Sequence, residues 1–192
     1  MAIRKKCPEK RKSLLNATLS LVNNNGFHDA PMSKIAKLAN VSPATIYIYF
    51  ENKQDLINQL YLEIKETFWN FAFKDELKNL TVKKAFEIIW FNIADFRMKN
   101  NDEAIFLSQC ENTPIVDKSI SEEGLKHLQP LVDLWEKGKT EGIIKPICPF
   151  LLYSFTIYPM AFLMTKQHRE DYKLSNKDFE QAFQCAWDSI KL

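Results

Sequence analysis

Glycine occurs only 4 times in 192 residues. Tight hairpin turns draw on glycine for positive φ, so this scarcity argues against a fold of many short strands, and it leaves no glycine-rich loop to cradle a phosphate. Cysteine is equally sparse. Cys7, Cys110, Cys148 and Cys185 are scattered without a Cys-x-x-Cys pair, which fits reduced thiols and excludes a zinc ribbon or a disulfide framework; nothing marks one of them as a redox sensor. His28, His127 and His168 form no Ser/His/Asp or Cys/His spacing. No enzymatic activity, cofactor or metal is therefore expected. The charged stretch Arg4-Lys5-Lys6 is not the start of a signal peptide, and a cytoplasmic location is expected. One charge-free run exists, residues 146–165, but Pro146, Pro149, Pro159, Ser154, Thr156 and two tyrosines interrupt it. It reads as helix buried by its own core and a partner subunit, not as a membrane span.

What is present is helical periodicity and an uneven distribution of charge. Residues 1–50 carry eight Lys/Arg against Glu9 and Asp29, or +6; the overall +2 therefore leaves −4 on the remaining chain. A basic head on an acidic body suits a nucleic-acid reader with a second domain. Residues 1–7 form a basic arm that either reaches DNA or stays solvated.

The densest signal lies at residues 32–53. Met32, Ile35, Ala36 and Ala39 fall at i, i+3, i+4, i+7, one face of a short helix. Asn40 stands where a left-handed C-terminal residue is needed, and Asn tolerates that conformation. Ser42-Pro43 then reads as N-cap and first position of a second helix. This helix-turn-helix carries hydroxyls and methyls that suit a DNA major groove. Ala44 and Thr45 can meet thymine methyls or base edges, and Tyr47 and Tyr49 can reach phosphates or bases. Lys53, opening the next helix, favours a phosphate. Ile46 and Phe50 read as core, and Tyr47 and Tyr49 cannot both share the direction of Phe50. Phe27 is expected to plug the head with Ile35, Leu38, Val41, Ile46 and Phe50.

Arg11, Leu15, Ala17, Leu21, Gly26-Phe27, Met32, Ile35-Ala36, Ala39, Val41-Ser42, Thr45-Ile46-Tyr47, Tyr49-Phe50, Asn52-Lys53 and Leu56 together resemble the DNA-binding domain of TetR-family transcriptional repressors. Asn40 departs from the usual glycine of that turn. Pro31 replaces the usual hydroxyl residue that caps the second helix and touches phosphate, so that contact is expected to be missing. The resemblance implies an all-α protein of about nine helices: a helix-turn-helix domain, 1–53, and a ligand-binding and dimerisation domain, 54–192, with the fourth helix as a lever between them. It implies a homodimer joined through the two C-terminal helices, whose apolar stripes point the same way. Ser42, Tyr47, Tyr49 and Lys53 would position the head on phosphates of double-stranded DNA, with Pro43, Ala44, Thr45 and Ile48 nearer the bases of an inverted-repeat operator.

The resemblance further implies a small-molecule effector pocket in the body. Phe68, Trp69, Trp90, Phe106, Trp135, Tyr158 and Phe162 are its candidate lining. With Glu66 or Asp95 such walls suit a lipophilic cation, and without them a flat apolar or fatty ligand. The leading expectation is a repressor released by a hydrophobic or aromatic effector. The rival is a TetR-like interaction protein that acts through a protein partner with little DNA binding. Proline at 31 and the lack of arginine in the recognition helix leave room for it.

Overall fold

The computed structural model describes residues 7–168 and 172–192; the arm around Arg4-Lys5-Lys6 and the side chain of His168 lie outside what it describes. Among the described residues the chain is helical throughout, with no strand and one isolated antiparallel bridge between Ile144 and Lys191. The helices are α1 (Pro8–Asn25), α2 (Met32–Leu38), α3 (Pro43–Tyr49), α4 (Lys53–Ala72), α5 (Val82–Lys99), α6 (Asn101–Asn112), α7 (Lys118–Lys126), α8 (Gln129–Thr140), α9 (Pro149–Thr156), α10 (Tyr158–His168) and α11 (Asn176–Ile190). None of the described helices is long and apolar enough to cross a membrane.

The all-helical expectation holds, and the helix count differs at two prolines. The stretch around Pro130 is divided into α7 and α8, with Pro130 in the first turn of α8. The apolar stretch 146–165 is divided into α9 and α10 at Ile157, with Pro159 following. Each proline lacks an N–H and crowds the carbonyl four residues earlier, on Lys126 and Phe155, so each stops the preceding helix and opens the next. Leu125, near the end of α7, is 52% exposed, whereas Leu131 and Trp135 on α8 are fully buried.

The chain forms two compact units: residues through Lys65 with Ile105–Gly124, and Glu66–Ala104 with Leu125–Leu192. In the first, Leu14, Val22, Ile35, Ala36, Ile46, Leu56 and Ile57 are fully buried. Gly26 ends α1 at φ 79°, a conformation that a side chain resists. Leu38, expected in this core, is instead 55% exposed. It lines an open groove of about 480 Å³ with Lys12, Ser13, Asn16 and Ser20. Residues 105–124 are fastened by side-chain amides. Asn58 donates to Asp117 at 2.7 Å and Gln54 to the Ile115 carbonyl at 2.9 Å. Lys65, only 3% exposed, lies 3.5 Å from Glu111.

The second unit is built on α5, whose Phe86 packs against Trp135, Phe183 and Trp187 with ring centroids 6.1 to 6.4 Å apart. Trp90 donates its indole N–H to the Thr156 carbonyl at 3.0 Å, fixing the end of α9. A Cβ at Gly138 would stand 2.6 Å from Ile144 and 2.9 Å from Val82, so glycine permits α8 to pack this close. Ser175 and Asp178 form a reciprocal capping box at the start of α11.

Candidate nucleic-acid interface

The turn between α2 and α3 is a Schellman arrangement. Asn40 adopts φ 55°, its N–H donates to the Lys37 carbonyl at 3.1 Å, and the Val41 N–H donates to the Ala36 carbonyl at 2.9 Å. Ser42 then caps α3: its hydroxyl accepts the Thr45 N–H at 3.2 Å and lies 2.7 Å from the Thr45 hydroxyl oxygen. At the start of α2, Pro31 offers no side-chain cap, and its carbonyl accepts the N–H groups of Lys34 and Ile35.

These caps fix which face α3 presents. Ile46 and Phe50 are buried, with Tyr49 beside them at 9% exposure. That is the i, i+3, i+4 pattern of one helix face. The opposite face carries exposed Pro43 and Ala44, Tyr47 at 57% and Ile48 at 36% exposure; Thr45 is half-buried. Of the two tyrosines, Tyr47 points out and Tyr49 in. The Tyr49 hydroxyl accepts the Cys7 backbone N–H at 2.9 Å. Lys53 turns back onto the α1–α2 connection, where its ammonium donates to the carbonyl of Phe27 and lies 4.2 Å above the Phe27 ring. Loss of water around it lowers its pKa despite the opposing influence of Asp29. Arg11 is similarly engaged, with Glu63 and with Gln59 at 2.8 Å.

Exposed Ser33, Lys34 and Lys37 on α2 were not among the expected site residues. Their charge and exposure suit phosphate contact, yet a short polar stretch on a helix carries no sequence signal that separates it from an ordinary solvated face.

The candidate pocket residues fall into separate places. Phe68 and Trp69 meet edge to face at 4.6 Å, and Phe96 lies 5.1 Å from Phe68. Trp90 and Trp135 belong to the α5 cluster, each through its own neighbours. Phe106 is fully buried in the first unit. Tyr158 and Phe162 are 45% and 63% exposed on α10. Among the described residues, the buried indole N–H groups of Trp69 and Trp135 have no hydrogen-bond partner. Glu66 is exposed, and Asp95 pairs with Lys99 at 2.8 Å.

A short uncharged helix, joined through a Schellman turn to a second helix that is anchored by buried Ile35 and Ala36, defines a helix-turn-helix DNA-binding protein. Comparison with known proteins gives the family. Residues 14–60 match the model for bacterial regulatory proteins of the tetR family, and residues 81–191 match that for the tetracyclin repressor-like C-terminal domain. An HTH-type transcriptional regulator from Haemophilus influenzae is 25% identical over 181 residues, covering 94% of this chain and 95% of the other. The fatty acid metabolism regulator protein of Bacillus subtilis is 32% identical over 80 residues, which span only 42% of this chain and 41% of that one. A TetR-family structure from Marinobacter aquaeolei superposes with a TM-score of 0.88 at 24% identity, over 95% of this chain and 96% of that chain. The regulator FadR of Bacillus subtilis, solved in complex with stearoyl-CoA, gives 0.72 at 23% identity over 92% and 95%. The chain belongs to the TetR family of transcriptional regulators.

Proposed function

We infer that the protein is a cytoplasmic repressor that binds an inverted-repeat operator as a homodimer and leaves it when a small hydrophobic effector binds. The observation that carries the DNA reading is the outward face of α3, where Tyr47 and Ile48 stand exposed while Ile46, Tyr49 and Phe50 hold the helix from behind. Large apolar side chains are left in water at a cost unless something covers them. Pro43, Ala44 and Ile48 would approach base edges, and Ser42, Thr45 and Tyr47 the nearby backbone. Tyr49 and Lys53 would act indirectly, by holding α3 and the α1–α2 connection in place. Residues 1–53 would supply the DNA contacts and 54–192 the ligand and dimer surfaces.

Phe150, Phe155, Tyr158 and Phe162, all at least 45% exposed on α9 and α10, support a dimer built on the C-terminal helices. Two symmetric heads then require two symmetric half-sites. For the effector, the exposure of Glu66 and the engagement of Asp95 with Lys99 favour an apolar or fatty ligand over a lipophilic cation. The fatty acid metabolism regulator protein of Bacillus subtilis, and the FadR structure of that organism bound to stearoyl-CoA, agree by name with that preference. The unpaired indoles of Trp69 and Trp135 would suit a ligand with an acceptor group. Release is a shift between two head spacings, limited by the difference in effector affinity between them.

The test is selection of bound duplexes from a random pool by the full chain, repeated at two salt concentrations. An inverted repeat, bound more weakly at the higher salt, supports the reading. A folded protein that enriches no motif would favour action through a protein partner. Acyl-chain ligands added to the recovered complex then test release.

A further inference from the structure

We propose that the operator is read through thymine methyl groups that pack against Pro43, Ala44 and Ile48, without guanine-directed hydrogen bonds from α3. The inference rests on the DNA-binding reading above and names the chemistry of the DNA that this helix selects. In the major groove, guanine is recognised by Arg or Lys and adenine by Asn or Gln, each through paired hydrogen bonds, whereas thymine offers a methyl group to an apolar side chain. Between Ser42 and Phe50 the sequence has no Arg, Lys, Asn or Gln.

The hydroxyls of α3 are mostly committed elsewhere. Those of Ser42 and Thr45 lie 2.7 Å apart, and the Ser42 oxygen also accepts the Thr45 N–H. The Tyr49 side chain is turned inward, and its hydroxyl holds the Cys7 N–H. Lys53, the nearest cation following the helix, is folded onto the Phe27 carbonyl. Outward there remain Pro43, Ala44, Tyr47 and Ile48, adjacent at helical spacing. Three of them offer only carbon. Ile48 is the most telling, because a β-branched apolar side chain on this seven-residue helix still leaves 36% of its surface open on the outward face. The charge needed for affinity sits instead on α2, at exposed Lys34 and Lys37, where phosphate contacts are indifferent to sequence.

The experiment replaces each thymine of the recovered operator, one at a time, by deoxyuridine, which removes only the methyl group. Wild type, Ile48→Ala and Ala44→Gly are titrated against each duplex, with folding of the variants checked by circular dichroism. Removing one buried methyl is expected to weaken wild-type binding about threefold to fivefold at one or more thymines per half-site. A variant lacking the facing methyls should lose that sensitivity at its own position. Wild-type binding unchanged within twofold at every thymine would overturn the inference while leaving the DNA reading intact. So would a guanine under α3 whose replacement by 7-deazaguanine costs tenfold. Failure to recover any motif would remove the DNA reading itself, and the inference with it.

Discussion

The Tyr49 hydroxyl accepts the backbone N–H of Cys7 at 2.9 Å, tying the residue that precedes α1 to the last residue of α3. The two positions are 42 residues apart, and both groups are at least partly withdrawn from water. Tyr49→Phe keeps the ring and leaves the Cys7 N–H without its partner. The expected cost is about 1 kcal/mol of stability, read from the urea midpoint. Tyr47→Phe, on the exposed face, should change the midpoint by no more than about 0.5 kcal/mol. Equal effects from the two substitutions would remove the assignment of Tyr49 to a holding role.

Asn40 occupies the left-handed region at φ 55° with a side chain that can tolerate it. Asn40→Gly should be neutral or slightly stabilising. Asn40→Val places a β-branched residue there and should cost roughly 1–2 kcal/mol or more. Thermal melts of the two variants, moving apart by several degrees, check the ordering.

The head was legible because its signals are local. Asn40, Ser42 and Pro43 each state a backbone conformation by their chemistry, and the observed turn and cap follow residue by residue. Helix existence in the body was legible for a similar reason, through apolar spacing. What the sequence hid depends on partners distant along the chain. Tyr49 and Tyr47 are both aromatic residues on one short helix, and only the i, i+3 relation of Tyr49 to Ile46 separates them. Lys53 looked like a free cation at a helix start, until the fold brought the Phe27 ring and carbonyl beneath it. The body aromatics were least legible: fully buried Trp135 and 63% exposed Phe162 differ in nothing that composition records.

Burial pushes the Cys110 thiol up to about 12, against the pull of Lys65, from an ordinary value near 9.0. The neighbouring Tyr61 hydroxyl is also raised to about 12, mainly by burial. Cys148 and Cys185 are exposed. At pH 8, iodoacetamide should therefore label Cys148 and Cys185 well ahead of Cys110, and urea should equalise them, as peptide mass spectrometry would show. The sign for stability follows from the raised folded pKa. The contribution of the neutral thiol is complete below about pH 9 and is lost as pH rises toward 12. Rapid native labelling of Cys110 would contradict this burial.

Phe162 on α10 is 63% exposed, with Phe150 at 76% and Phe155 at 56% on the adjoining α9. Phe162→Glu removes little buried surface of the single chain, so its helicity should be retained. A charge placed in a subunit interface costs several kcal/mol, enough to shift a dimer to monomer at micromolar concentration. Sedimentation should show the monomer, and the same variant should lose most of its preference for an inverted repeat over one half-site. A Phe162→Glu protein that stays dimeric would place the interface elsewhere.

Tyr47 is 57% exposed at the centre of the outward face of α3, and its hydroxyl is the polar group of that face best placed to reach beyond the helix. Tyr47→Ala should leave the melting temperature and the dimer unchanged, because no core contact is lost. Operator affinity should fall tenfold or more, corresponding to about 1.4 kcal/mol. Tyr47→Phe divides that loss: if the hydroxyl holds a phosphate, it should weaken the operator and unrelated duplexes alike. If the ring itself packs on a base, Tyr47→Phe should be nearly silent and Tyr47→Ala should relax the sequence preference. Unaltered operator binding by Tyr47→Ala would remove Tyr47 from the DNA contacts, although no large side chain of α3 is more exposed.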